Sequence, residues 1–274
     1  MTKSNTISRR SRSVQFLPSG VPYVIVSGKP RPIRSLLGDG DNNVKTAKNG
    51  ELAQSFGLSL SAHDSAGLGS VCAWAKGCAK SCLDETGFGG WSHVVRQQRI
   101  AKTVLWKRNR PLFLEMLRSD IRKAIAKAER AGKVCAIRLN MFSDIPWEQY
   151  GIPQEFPDVQ FYDYSKYPNR HGQVCENYWV TFSRDEANDS DALRILNGGD
   201  NVAVVFHNSG KFAGNASKRQ ELPETWNGFT VIDGDKTDAR WTDAKGVVVG
   251  LKLKAFDTES RNQAIESGFS VSAD

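Results

Sequence analysis

No apolar run in this chain approaches the roughly 20 residues that a helical membrane span needs, so no membrane partner is expected. Histidine is scarce. His63, His93, His171 and His207 are the only four, and none neighbours another. That disfavours zinc sites built on paired histidines, and the His-hydrophobic-His centres of replication endonucleases. Neither G-x-G-x-x-G, nor a P-loop, nor G-x-S-x-G occurs, which argues against a dinucleotide fold, a P-loop nucleotidase and a serine hydrolase elbow. The opening residues, MTKSNTISRRSRS, lack the apolar h-region of a secretory signal. The chain is therefore expected to stay in a reducing cytoplasm, where five cysteines do not make a disulfide framework. Hairpin loops of two to five residues are not evident, which argues against an antiparallel meander.

What is present is enough for a folded domain. The chain has 274 residues and 39% hydrophobic content, compatible with a single large domain and its core. Net charge is +7 and the isoelectric point about 9.2, a bias that suits a polyanionic partner, DNA or RNA. Residues 1–13 carry Lys3, Arg9, Arg10 and Arg12 and no acid, and residues 28–50 are rich in Gly, Pro, Asn and Asp. Residues 1–50 are accordingly read as a basic, irregular arm and lead-in, and 51–274 as one domain.

From residue 56 onward, short apolar runs alternate with helix-compatible segments. The runs are 56–62, 134–140, 159–165, 178–183, 202–207, 229–233 and 247–254. A helical stretch broken at Pro111 separates the first two. Its second half aligns Phe113, Leu117, Ile121, Ile125 and Ala128, and stops at Gly132. Such alternation predicts an α/β fold with a parallel sheet and crossover connections, a partial (β/α) barrel of TIM-barrel-like character. The connections after Ser165 and Asp233 are near the minimum length for a crossover, so a shortened or antiparallel edge competes with full closure.

In parallel β/α sheets, sites collect at the C-terminal strand ends. Those ends place Ser61 and His63 as cofactor contacts, and Asn140, Asp144, Asp163, Lys166, Arg184 and Asp233 as catalytic candidates. The plainer alternative is that strands end in loops and loops are polar. The stretch Asp233–Asp238 lacks the downstream Glu of a calcium loop. Its acids, with Asp144 and Asp163, are candidates for Mg²⁺-dependent nuclease chemistry, or for a turn bonded to Lys236 and Arg240.

The most specific feature follows the first run: Cys72, Cys78 and Cys82, spaced C-x5-C-x3-C. Thiolates this close can converge on one metal or one iron–sulfur cluster. The spacing is not that of a zinc finger, so a cluster is preferred and zinc is the alternative. Cys135 and Cys175 sit at strand starts and are expected in the core. That leaves either His63 as fourth ligand or an open coordination position, the mark of a reactive centre. Ordinary thiols in a Gly-rich loop are the competing account. A further stretch, Arg96, Arg99 and Lys102 with Trp91 and Trp106, joins bases to aromatics as single-strand binders do. A solvated helix face with buried tryptophans would look the same.

The segments SLSAHDSAGLGSVCAWAKGCAKSCLDETGFG (59–89), AIRLNMFSDIPWE (136–148), VQFYDYSKYPNR (159–170), VTFSR (180–184) and VIDGDKTDARWTDAKGVVVGLKLK (231–254) resemble the phage "gene product eighty-eight" family. The resemblance implies phage origin, a host bacterial cytoplasm and a shared site, but names no reaction. Three cysteines after the first strand of a β/α barrel are also similar, more remotely, to radical S-adenosylmethionine enzymes. That likeness implies a radical-SAM-like barrel, Cys72, Cys78 and Cys82 as cluster ligands, and S-adenosylmethionine at the open iron. Two departures stand against it: their usual spacing is C-x3-C-x2-C, and no Gly-Gly-Glu follows the second strand. Three readings result: a cluster- or metal-dependent phage enzyme acting on nucleic acid, a replication-associated nucleic-acid-binding protein with a structural cysteine loop, or the Mg²⁺-dependent nuclease.

Overall fold

The structure, a computed structural model, describes residues 14–40, 46–76, 78, 82, 92–208, 221–254 and 258–274. The chain begins with β1 (Gln15–Phe16), β2 (Pro22–Val26), β3 (Lys29–Pro32), β4 (Leu37–Asp39) and β5 (Ala53–Leu58). Then come α1 (His93–Arg108), α2 (Arg110–Arg130), β6 (Val134–Arg138), α3 (Ile152–Glu155), β7 (Gln160–Ser165), β8 (Gly172–Cys175) and β9 (Tyr178–Ser183). The remainder is α4 (Asp189–Asn197), β10 (Val202–His207), β11 (Thr225–Trp226), β12 (Phe229–Asp233), β13 (Val248–Lys252), α5 (Thr258–Glu266) and β14 (Val271–Ser272).

All seven predicted runs form strands, and all seven pair in parallel, in the order β5-β6-β7-β9-β10-β13-β12. Short antiparallel strands flank them: β4 on β5, β11 on β12 and β8 on β9. Among the described residues no ladder joins the two edges, so the fold is a mixed α/β sheet and not a closed barrel.

The broken helix forms as expected. Ser92 caps α1, accepting from Val95 N. Asn109 ends α1 and caps α2, its Oδ1 accepting from Leu112 N at 3.2 Å. Pro111 falls in the first turn of α2, where a missing N–H costs nothing. Gly132 ends the segment at φ +62°, in the left-handed region a side chain disfavours.

Two expectations are corrected. Residues 14–40 are not an irregular lead-in: β1, β2 and β3 form an antiparallel sheet, and β4 extends the main one. Hairpins also exist. Ser27-Gly28 and Asn227-Gly228 close two-residue turns with positive φ at both positions, the conformation that matches strand twist. Of the flanking strands, β12 registered as an apolar run, but its partner β11 is only two residues long, and β3 holds no apolar run. The basic residues of 1–13 lie outside the described residues.

Strand alternation sorts side chains onto two faces. Phe56, Leu58, Ile137, Phe161 and Val180 pack outward against Ile100, Leu105, Phe113, Leu117 and Ile121 of α1 and α2. The opposite face is small or polar near the middle of the sheet, with Ala53, Ala136 and Tyr162 packed on Trp241. That face leaves room for a cavity over the C-terminal strand ends. Among the described residues, no helix is long and apolar enough to cross a membrane.

Candidate functional site

A cavity of about 310 Å³ opens there, and Cys72, Cys78 and Cys82 all line it. Asn140, Asp144, Lys166, Arg184 and His63 line it too. Asp163, Asp233 and Ser61 do not. Asp163 is fully buried in the outward layer, and Ser61 is buried with its N–H bonded to Thr103 Oγ1 at 2.9 Å. Asp233 accepts from Asp235 N at 2.9 Å and faces Lys252 Nζ at 3.8 Å. Of Asp144, Asp163, Asp233 and Asp235, on which the Mg²⁺ reading is centred, only Asp144 and Asp235 line the cavity, and β7 turns Asp163 away from it.

The cysteine loop is tied to the loop after β6. Asp144 N donates to Val71 O at 2.9 Å, and Cys72 Sγ donates to Phe142 O at 3.2 Å. Lys107 Nζ reaches Ser70 O at 3.0 Å, and Arg99 lies 4.3 Å from the centroid of the Phe142 ring. Burial pushes the Cys72 thiol up to about 12; the His63 backbone opposes the shift, and Cys82, Asp144 and Cys78 reinforce it. All five cysteines are free thiols. Cys135 is buried and Cys175 half-buried, and neither lines the cavity. Among the described residues, no three His, Cys, Asp or Glu side chains are drawn together around one point. Residues 77, 79–81 and 83–91 of this loop lie outside the described residues.

Asn140 is an organiser of its loop. Its Oδ1 accepts from Ser143 Oγ, Ile145 N and Trp147 Nε1 at 2.8, 3.0 and 3.1 Å. Its Nδ2 donates to Ile145 O and to Asp163 Oδ2 at 2.9 and 3.1 Å. Asp163 also receives Asn140 N at 2.7 Å and the Tyr178 hydroxyl at 2.5 Å. Burial raises its carboxyl to about 7, although Arg170, Tyr178, Arg138 and the Asn140 N–H all favour the anion. Asp144 accepts from Ser165 Oγ and Lys166 N at 2.7 and 2.9 Å, and burial raises it as well. Arg184 is held by Asp189 at 2.6 Å and by the carbonyls of Gly268 and Phe269. Lys166 Nζ donates to Arg184 O at 3.3 Å, with Asp185 3.9 Å away.

The expected nucleic-acid face on α1 is corrected. Trp106 is 3% exposed and packs against Phe113, Trp147 and Tyr150 with centroids 5.1–5.2 Å apart, so its ring cannot stack on a base. Lys102 Nζ is bound to Leu36 O at 2.7 Å, and burial lowers its ammonium to about 8. Arg96 and Arg99 are half-buried. Trp91 lies outside the described residues.

Strand-end reasoning passed over several residues of the cavity wall. Lys48, Lys252 and Lys254 line it, beside Asp235 and Asp238 of the stretch that the sequence did single out. Burial would raise the Asp235 carboxyl, but Lys254 at 2.5 Å, the Lys252 N–H and Lys48 hold it below its usual range. The Lys252-x-Lys254 spacing, which puts both side chains on one face of an extended chain, was the available signal. Lys48 had none, because it reaches the cavity from before β5 and donates to Asp235 O.

Compared with known proteins, the chain matches the family model described as gene product 88 over residues 35–272. No curated protein and no solved structure matches it.

Proposed function

The chain belongs to the gene product 88 family of phage proteins, and on that footing we propose that it is a metal- or iron–sulfur-dependent enzyme whose chemistry takes place in the cavity at the strand ends. The observation that carries this reading is that Cys72, Cys78 and Cys82, spread over one loop, all face the same cavity. Their type fits soft, thiolate-bound metal, and their number leaves one coordination position for a ligand. A cluster with an open iron supplies one-electron chemistry to whatever binds there, and zinc would supply Lewis acidity instead. The position of the loop, directly after the first parallel strand, is similar to that in radical S-adenosylmethionine enzymes.

The protein's own residues have definable tasks in this reading. Asp144 and Phe142 anchor the loop after β6 to the cysteine loop. Asn140 and Asp163 hold that anchor in shape from behind. Lys166 presents an ammonium to the cavity, and His63, exposed where it lines the cavity, is a candidate for a fourth ligand.

Protein purified without oxygen should contain bound iron or zinc. Cys72→Ala, Cys78→Ala and Cys82→Ala should each lose most of it, while Cys135→Ala and Cys175→Ala keep it. Metal-free wild type, or equal loss from all five variants, overturns the reading.

A further inference from the structure

Trp74, two residues beyond Cys72, is one of the few large apolar side chains left exposed among the described residues, at 42%. Tyr167 backs its indole, with centroids 5.2 Å apart and ring planes 28° from parallel. The pair stands at the rim, since the adjacent Ala75 and Lys166 line the cavity. An aromatic ring supported on one side and wet on the other is built to receive a second planar group.

The charge of the cavity wall defines that group further. Lys48, Arg138, Lys166, Arg184, Lys252 and Lys254 line it, against the carboxylates Asp144, Asp235 and Asp238. Arg138 is matched by Asp238 at 3.0 Å and Arg184 by Asp189 outside the cavity. Lys254 is paired with Asp235 at 2.5 Å, Lys252 stands 3.8 Å from Asp233 and Lys166 3.9 Å from Asp185, while Lys48 donates to a carbonyl, which neutralises nothing. Lys48, Lys252 and Lys254 thus share two carboxylates, Asp233 and Asp235, and the surplus positive charge there draws in an anion where a cation would be repelled. A flat group at the rim and a negative one inside the mouth describe a nucleotide unit.

We propose that this mouth binds a nucleotide unit, its base on Trp74 and its phosphate among Lys48, Lys252 and Lys254. The inference deepens the enzyme reading, since it names the substrate class of the same cavity, and it moves nucleic-acid contact from α1 to the rim. A mononucleotide and a single strand share this chemistry.

The test uses full-length protein prepared without oxygen, a short fluorescent oligothymidylate followed by anisotropy over a salt series, and thymidine monophosphate as competitor. Trp74→Ala should weaken binding between about 5-fold and about 150-fold, the range for loss of one stacked base. Trp74→Phe should restore most of it. Replacing Lys48, Lys252 and Lys254 by Gln should flatten the log-affinity against log-salt slope by about 0.7 for each phosphate that is no longer neutralised. Effective competition by the mononucleotide assigns the site to free nucleotides, and binding of the oligomer alone assigns it to single strands. No binding at low salt, or affinity unchanged by both sets of substitutions with the fold intact, overturns the proposal. Metal is assayed in the same samples. Metal without binding removes only the nucleotide inference, and binding without metal removes only the metal-dependent enzyme.

Discussion

Asp163 never reaches the cavity, yet it governs the shape of one wall. It grips Asn140 through both backbone and side chain, Asn140 gathers residues 143–147, and Asp144 in that turn bonds to Val71 at the root of the cysteine loop. Its carboxyl is pushed up to about 7 by burial, well above the usual carboxylate value near 4. Between those two values the folded chain holds a proton that the unfolded chain has released. Stability therefore falls as pH rises through this window. Wild type should lose on the order of 2–3 kcal/mol between pH ~5 and pH ~8 from this group, given about 1.4 kcal/mol for each pH interval of one within that window. Asp163→Asn, which cannot ionise, should show a flatter profile in urea melts across that range. Parallel profiles for the two proteins would mean that Asp163 is already ionised throughout, with its donors outweighing burial.

At the scale of elements, the seven parallel strands were legible because each is a run of apolar or β-branched residues, and their spans depart from those runs mainly at the ends. β11 was not legible: its two residues hold no periodicity, and only the Asn227-Gly228 turn announces them. The cysteine loop was legible from spacing alone. The cationic part of the cavity wall was not, since Lys48 and Lys254 are far apart in sequence and meet only through Asp235. Helix α1 shows the converse error. Basic residues at helical spacing look like a solvated binding face, but Lys102 is bound to Leu36 O before β4, while Lys107 on Ser70 O and Arg99 over Phe142 brace the root of the cysteine loop. Trp106 faces the other way, into the aromatic cluster of Phe113, Trp147 and Tyr150. Trp106→Ala should cost about 3–5 kcal/mol in urea unfolding, the range for deleting a large buried aromatic ring. A drop in nucleic-acid affinity with the melting midpoint unchanged would instead return Trp106 to the surface role that its neighbours suggested.

The whole molecule faces a problem that a closed barrel does not: its edge strands are far apart in the sheet and share no ladder among the described residues. The loop after β12 bridges the gap with side chains. Asn49 Oδ1 accepts from Thr237 Oγ1 and Asp238 N, both at 2.9 Å, which fastens this loop to the turn before β5. Asp238 then receives Arg138 at 3.0 and 3.1 Å from the end of β6, and the Arg138 guanidinium lies 4.6 Å from the centroid of Tyr164. Both members of this ion pair are nearly buried, at 7% and 8% side-chain exposure. Attraction between such groups is set against the cost of taking both out of water, so the pair as a whole adds little net stability. Removing one member is different, because the other charge is then stranded. Asp238→Asn should destabilise the fold by about 3–5 kcal/mol for that reason. Replacing both together, Arg138→Met with Asp238→Leu, should recover much of that stability, since no charge is left without a partner. The double variant should nevertheless bind the oligothymidylate differently from wild type, because it alters the wall on which Lys48 and Lys254 stand. Urea melts of wild type, single and double variants read the first effect, and anisotropy reads the second. If Asp238→Asn melts within about 1 kcal/mol of wild type, the Arg138 charge has found water, and the polar bridge is a surface contact that does not hold the two halves of the sheet around the cavity.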